Sequence, residues 1–533
     1  MTNTYQTPST MNEINAYFVG AGVGSLAAAV YLIRDGHIPG KNIIIFEEMK
    51  ITGGSCDGTG SPEKGYVVRG GRMLNDEAYE CTWELLKFIP SINDPQKSVR
   101  DEIVEFDTKV RTQAKARLID EHGKIVNVSS MGFSNKDRID LMKLTITPED
   151  ALGTLTIDKC FSPSFFQTPF WYMWATTFAF QPWHSAVEFK RYLLRFMHEF
   201  PRIQTLEGVT RTPYNQYDSI ILPLIKWLGA QGVNFEMNCQ VTDLDFKASQ
   251  NEKTVERIHY IDDGKQKEVE IKNNDLVFVT NGSMTEGYSL GSMTSAPSLG
   301  SKGASFKLWE NIVKKQPDLG NPSAFADHIA ESLWESFTVT CKDPIFFDLM
   351  EKFSGNTPGT GALVTFKDSN WFMSIVLAYQ PHFMNQPENI KVFWGYSLFP
   401  NKIGNYIPKK MSECTGEEIL TELCSHLRFN EDLPLILKTS NCIPCMMPFI
   451  TSQFMPRAKG DRPDVIPKGS TNLAFLGQFA EIPDDVVFTV EYSVRSAQIA
   501  VYSLLKLSKE VVPMNQYQYD TRVLFNSFIT SFR

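Results

Sequence analysis

The run AYFVGAGVGSLAAAVYLIRDGH, residues 16–37, passes from four apolar residues through a glycine turn into a helix. The first four read as a short buried strand, and Leu26, Val30 and Leu32 then recur at the spacing of one inward helix face. Gly20 permits the turn. Gly22 leaves the helix N-terminus open to a pyrophosphate, whose charge the unpaired N–H groups and the helix dipole stabilise. Ser25 stands at the third small position of the fingerprint, where its size softens the loss of a glycine. Residues 42–46, NIIIF, form a second strand ending in Glu47 and Glu48, at the distance where a carboxylate meets a ribose diol. Strand, turn, helix, strand and acid in one register predict a dinucleotide site on a Rossmann-type α/β fold.

Which dinucleotide follows from KITGGSCDGTG, residues 50–60, and YVVRGGRMLN, residues 66–75. Gly53, Gly54 and Ser55 come soon after the acid, which resembles the FAD site of amine oxidases and carotenoid desaturases rather than a nicotinamide site. Gly70 and Gly71 let the backbone approach a flat ring, and Arg69 and Arg72 beside them suit phosphates. A tight turn with solvated arginines explains RGGR equally well in isolation; its neighbours tip the reading to the flavin. Residues 275–284, DLVFVTNGSM, read as a strand returning the chain to the nucleotide. Residues 473–476, LAFL, lead into a loop and a long helix whose N-terminal amides would face the ring. The FAD-binding domain is therefore assembled from separated segments, 1–100, 205–300 and 465–510. A mixed β substrate domain (101–140 and 301–464), a helical cover (141–204) and a short C-terminal tail (511–533) complete the expected organisation.

With 533 residues and a formal net charge of −9, the chain exceeds one core and lacks the basic stripe that would make nucleic acid an expected partner. Nine cysteines, an odd number, and a start without a basic, then apolar, leader predict reduced thiols and a cytoplasmic protein. The apolar run SIILPLIKWL, residues 219–228, is broken by Pro223 and Lys226 and falls short of the roughly 18 residues that a membrane crossing needs. Cys442 and Cys445 form a lone C-x-x-C with no histidine cluster, and read as buried small residues rather than metal ligands.

Longer motifs carry a family resemblance over most of the chain. RGGRM, FWYMWATTFAFQPWHSAVEFKRYLLRF, RTPYNQYDSIILPL, WGYSLFPNKIGNY, SECTGEEI, CMMPFITSQFMPR and GQFAEIPDDVVFTVEYSVR together resemble the oleate hydratases, once called myosin-cross-reactive antigens. The resemblance implies FAD-dependent addition of water to an unsaturated long-chain fatty acid such as oleate, without net redox change, and a flavin that works in the reduced form. It places Gly20, Gly22, Ser25 and Glu47 on the cofactor, with Gly54, Ser55, Arg69, Gly70, Gly71, Arg72 and Met73 following. Val241, Asn281, Gly282 and Ser283 join them from the middle of the chain, and Gly477, Val487, Phe488 and Thr489 from near its end.

Tyr192 matches the family's tyrosine that protonates the double bond. Ser185 and Glu188 form an S-x-x-E capping box, and the helix they start sets Phe189, Leu193, Phe196 and Phe200 on one face, with Lys190, Arg191 and Arg195 on others. Tyr192 lies at the edge of the apolar face, where a phenol loses the hydration of its anion and keeps its proton. The aromatic run Phe165, Phe166, Phe170, Trp171, Tyr172 and Trp174 is the expected wall for the acyl chain.

Three departures from the family pattern matter. Met73 stands where most members have a glutamate that handles water, and a thioether has no base chemistry. Either water is activated late, or Asn75 orients it, or the chain is slow on oleate or takes another lipid; retention of Tyr192 favours the first two. At the carboxylate end Gln216 and His382 match, but Val376 and Ala378 replace a threonine and an asparagine that donate hydrogen bonds. The segment before the first strand is short, which predicts a monomer. The tail places Val523, Phe525, Phe528 and Phe532 at mixed helical spacing, and is expected to pack on the FAD domain, with a membrane surface as the alternative. Two rival functions stay open: a flavin-dependent lipid oxidoreductase or isomerase, and a non-catalytic fatty-acid-binding relative.

Overall fold

The computed structural model describes residues 13–71, 73–249 and 251–532. Arg72, read above as a cofactor contact, lies outside the described residues. The opening run folds as its pattern predicts: strand Ala16–Val19 leads through Gly20, at φ 91°, into helix Val23–Arg34. That strand is central in a five-stranded parallel sheet, ordered Leu473–Leu476, Leu276–Thr280, Ala16–Val19, Ile43–Glu47, Asn234–Met237. Helices cover the sheet, so its strands are almost wholly apolar, as buried parallel strands must be. Three segments far apart in the chain meet here, and an antiparallel meander of Cys239–Phe246, Val255–Asp262 and Lys265–Glu270 stands beside them.

The third small residue of the fingerprint is a correction. Ser25 points its hydroxyl to Thr280 Oγ1 at 3.4 Å. Gly24 is the one that faces a neighbouring helix: a Cβ there would make ordinary contact, 3.4 Å from the Ser493 carbonyl oxygen on helix Val490–Leu504, and only a larger side chain would crowd it.

The second sheet has seven strands, in the order Ser289–Leu290, Ser440–Met447, Trp334–Cys341, Lys391–Ser397, Met373–Val376, Val364–Phe366, Leu118–Ile119. It is antiparallel except at the last pair. Its central strand, WESFTVTC, alternates for two different reasons. Phe337, Val339 and Cys341 enter an apolar core with Phe346, Phe393 and Leu423. Ser336, Thr338 and Thr340 face the other way, onto a crossing backbone. Thr340 Oγ1 accepts Tyr66 N–H at 2.9 Å, Thr338 Oγ1 accepts Val68 N–H at 3.1 Å, and Ser336 Oγ donates to the Arg69 carbonyl at 2.9 Å. The 66–69 segment thus lies on the sheet with its polar backbone satisfied, as burial demands.

Two segments sit elsewhere than the sequence division has them. Ser289–Leu290 pairs into the larger sheet. Helix Ala304–Lys315 lies against the meander, where Asn311 Nδ2 donates to the Thr242 carbonyl at 3.1 Å and Lys315 pairs with Asp243 at 2.7 Å. Cys442 and Cys445, three apart on one strand, point to opposite faces and are both buried; among the described residues no cluster of metal ligands exists.

The helical cover includes Asn135–Ile146, Pro169–Phe178 and Ala186–Arg195. Only half of the expected capping box forms: Ser185 Oγ accepts Glu188 N–H, but the Glu188 carboxylate turns away to Arg457 and Arg462, at 3.1 and 2.9 Å. Tail helix Thr521–Ser531 docks on the cover, not on the FAD-type domain. Arg138 Nε donates to the Ser531 carbonyl at 2.7 Å, and Ser527 Oγ to the Met197 carbonyl at 3.1 Å. Among the described residues no helix is long and apolar enough to cross a membrane.

Glu335, on the central strand between Ser397 and Met446, is fully buried, and neither carboxyl oxygen has a partner among the described residues. Burial raises its pKa well above the ordinary 4.5, so the native state holds a proton that the unfolded chain releases. Its stabilising share is complete below about pH 4.5 and is lost as pH rises through the raised native value. Glu335→Gln should therefore melt higher than the wild type at pH 8, with the gap closing towards pH 4; urea midpoints across that range measure it, and a constant gap would refute the assignment.

Candidate functional site

Two cavities are bordered by the stretch of residues 68–71 and 73. The first, about 460 Å³, is lined by Gly20, Gly22, Glu47, Gly54, Arg69, Val241, Gly282 and Ser283, all named from the sequence. Its residues fit a dinucleotide. A Cβ on Gly22 would meet nothing within 4 Å, so the helix N-terminus opens into the cavity. Glu47 is held rigid beside it, with Oε2 accepting Ala21 N–H and Oε1 accepting Met49 N–H, both at 2.8 Å. Asn281, just past the adjoining strand, is buried between the lining residues Thr280 and Gly282 without itself lining the cavity, and both atoms of its amide lack a partner among the described residues.

Arg69 departs from its expected role. Its guanidinium is engaged within the protein: Nε with Asp57 at 2.9 Å, Nη2 with the Gly54 carbonyl at 2.6 Å, Nη1 with the Thr285 carbonyl at 3.3 Å. It shapes the cavity wall rather than reaching for phosphates. Glu286, which sequence reasoning missed, also lines this cavity. Burial pushes its pKa up to about 7 against the bonds from Ser305 and Phe306 N–H, and nearby Glu48 adds to the rise. Ser55, Gly70, Gly477, Val487 and Thr489 do not line it. Gly70 gives its carbonyl to Gln216 Nε2 at 2.8 Å, and Thr489 caps helix Val490–Leu504 through Tyr492 N–H at 3.1 Å.

The second cavity is narrow, about 90 Å³, and lies across the same segment: Val68, Gly71 and Met73 border it, while Arg69 borders the first. Gln216, His382, Val376 and Ala378 line it, with Trp334, Trp394, Tyr396 and Phe488. The head-group residues named from the sequence are therefore neighbours in space. Asn215 fastens them, donating N–H and Nδ2 to the His382 carbonyl at 2.8 and 3.0 Å. Burial, and then the positive charge of Arg211, lower the His382 pKa to about 4, so the imidazole is neutral at physiological pH. Arg211, the first residue of RTPYNQYDS, was missed although it stands in a quoted motif.

Several expectations fail here. The aromatics Phe165, Phe170, Trp171 and Trp174 pack among themselves as the core of the cover; Thr176, Thr177 and Ala179 supply its wall of the cavity. Asn75 is not placed to orient water. Its Nδ2 donates to Glu199 at 2.6 Å and to the Gly208 carbonyl at 3.1 Å, and its Oδ1 accepts Ala78 N–H at 2.8 Å and Glu77 N–H at 3.1 Å. Tyr192 is 1% exposed behind the wall, edge-on to Phe178 and Phe180 with ring centroids 5.0 Å away. Its hydroxyl donates to the Val487 carbonyl, next to Phe488 in the cavity lining.

Comparison with known proteins identifies the family. Residues 13–502 match the sequence profile of the MCRA family. This chain belongs to the MCRA family. It is 41% identical to an oleate hydratase from Streptococcus pyogenes, over 98% of this chain and 91% of the relative. It is 39% identical to a linoleate hydratase from Lactiplantibacillus plantarum, over 97% of this chain and 98% of the relative. The resemblance read from the motifs is borne out. In fold, this MCRA chain is similar to a putrescine oxidase redesigned in its cofactor binding, with a TM-score of 0.52 at 13% identity over 93% of this chain and 99% of that one. It is also similar to an oxidoreductase from Methanosarcina mazei, with a TM-score of 0.50 at 13% identity over 92% and 100%.

The two fingerprint glycines should separate binding from folding. Gly22→Val points into open space, so the cofactor-free protein should keep its stability within about 0.5 kcal/mol while FAD retention is lost. Gly24→Val crowds the Ser493 carbonyl and should cost about 1–3 kcal/mol of stability. Calorimetry and FAD fluorescence titration of both variants would show the split; a large stability loss in Gly22→Val would contradict it.

Proposed function

We propose that this chain adds water across the cis double bond of an unsaturated long-chain fatty acid, oleate to the 10-hydroxy acid, with FAD bound in the first cavity. The observation that carries the reading is the near-full-length identity to an oleate and a linoleate hydratase, kept alongside a cavity that gathers Met73, Gln216 and His382. The alkene gains one hydrogen and one hydroxyl, and no electrons are transferred. FAD, if bound there in its reduced form, would supply negative charge beside positive charge developing on the alkene. Gly20, Gly22, Glu47, Gly54, Val241 and Asn281 would hold it.

Tyr192 is the proton donor of this proposal. In the structure its proton is directed at the Val487 carbonyl, so the turn of Val487 and Phe488 must yield before the phenol meets a substrate. Phe488 has φ 72°, a conformation that costs a non-glycine residue about 1 kcal/mol or more and disposes the turn to change. The second cavity is too small for a long acyl chain, and displacement of Phe488 would widen it. Met73 offers no base, and Asn75 is engaged elsewhere, so water attacks late, after proton transfer has made carbon electrophilic enough to need no strong base.

Purified protein with oleate, FAD and a reductant under anaerobic conditions should yield a product heavier by one water. Tyr192→Phe should keep fold and FAD while losing about 10²-fold or more of the rate, the share expected for general-acid catalysis. Undiminished turnover by that variant would remove Tyr192 from the reaction, and unchanged oleate with bound, reduced flavin in the wild type would point to another substrate.

Supply of the lipid suits a membrane surface. Ile139, Met142, Phe525, Phe528 and Phe532 are each more than half exposed along one apolar groove between helix Asn135–Ile146 and the tail helix. Wild-type protein should sediment with anionic vesicles, and the double substitution Phe525→Ser with Phe528→Ser should release it; equal binding by both would dismiss the contact.

A further inference from the structure

Arg211 is only partly buried as a residue, yet its guanidinium differs from those of the buried arginines. Its Nε and Nη2 are shut off from solvent, and neither has a hydrogen-bond partner among the described residues. Its backbone N–H donates to Asp107 at 3.2 Å, but its guanidinium forms no ion pair with a described carboxylate. Elsewhere the fold meets such charges. Arg69 has Asp57, Arg191 has Glu149 and Glu481, Arg195 has Glu80, and Arg462 has Glu188. Arg117, buried without an acid, places its donors on the carbonyls of Ile203, Leu363 and Met173 and on Thr177. A guanidinium left buried without either kind of partner destabilises a protein, unless a ligand supplies the missing anion.

The cavity that Arg211 lines is also lined by Gln216 and His382 on one hand, and by Val376 and Ala378 on the other. The last two have no donor, and the neutral imidazole adds no charge. We propose that Arg211 is the charge partner of the substrate carboxylate, the anchor this chain uses where Val376 and Ala378 leave bare walls. The identity of the acid rests on the hydratase reading; the anion site itself does not. A planar guanidinium takes a carboxylate through two parallel hydrogen bonds, a geometry that a hydroxyl or ester head group cannot return. Arg211 therefore sets a preference for free acids over neutral lipids of the same chain.

The test compares oleate with oleyl alcohol in the wild type, Arg211→Met and Arg211→Lys, using the quenching of tryptophan fluorescence, since Trp334 and Trp394 line the cavity. In Arg211→Met, oleate affinity should fall about 100-fold, as for loss of one partner of a buried charge pair, with alcohol affinity nearly unchanged. Arg211→Lys should recover part of the loss. KM for oleate should rise with kcat little altered, and ligand-free Arg211→Met should melt no lower than the wild type. Parallel loss of oleate and alcohol binding, unchanged oleate binding, or a clearly lower melting temperature would each overturn the proposal. Binding is read without turnover, so if the wild type hydrates nothing while the acid preference still depends on Arg211, the hydratase reading fails and the anchor stands.

Discussion

The Arg69 guanidinium joins the two halves of the molecule. It sits on a segment whose backbone is bonded to the hydroxyl face of the larger sheet, and it reaches Asp57, Gly54 and Thr285 on the dinucleotide side. Its ring neighbour Tyr288 lies 4.3 Å below the charge. A buried, charge-assisted set of bonds of this kind tolerates little displacement. The stretch of residues 66–71 and 73 consequently borders both cavities, Arg69 on one and Val68, Gly71 and Met73 on the other.

A second constraint orients the helix that carries Tyr192. Glu188 and Arg191 on one turn meet Arg457, Arg462, Glu149 and Glu481, while Arg195 on the next meets Glu80 and Asp485. The helix is charged in sequence yet buried on all sides. Loss of one partner in such a network strands a charge in a medium that cannot solvate it, so the helix has little freedom to slide. Phe180, Phe178 and Phe454 enclose the phenol between the two ionic clusters. The Tyr192 hydroxyl is held in one place by packing, and the part free to adjust is the turn that receives its proton.

Glycine pattern, strand periodicity and the acid after the second strand were enough to place the dinucleotide sheet, because each is a local rule with a fixed period. Gly20, Gly22 and Glu47, picked out that way, line one cavity. Gly24 and Ser25 could not be told apart, since which of them faces helix Val490–Leu504 depends on the angle at which two distant segments pack. The aromatic cluster of the cover and the side chain of Asn75 failed for the same reason. Both look like site residues in one dimension, and both are satisfied by neighbours that approach from elsewhere in the chain.

What the sequence by itself determined is the family, the α/β class, the dinucleotide turn and the absence of a base at Met73, all of which are written in residue identity and spacing. Tertiary structure alone decided which charges are matched. Arg69 was expected to be available and is engaged; Arg211 drew no notice, and its Nε and Nη2 have no hydrogen-bond partner among the described residues. An arginine's role depends on whether a carboxylate or a carbonyl comes within about 3 Å of it after folding. That distance is set by the packing of segments hundreds of residues apart, and no local pattern encodes it.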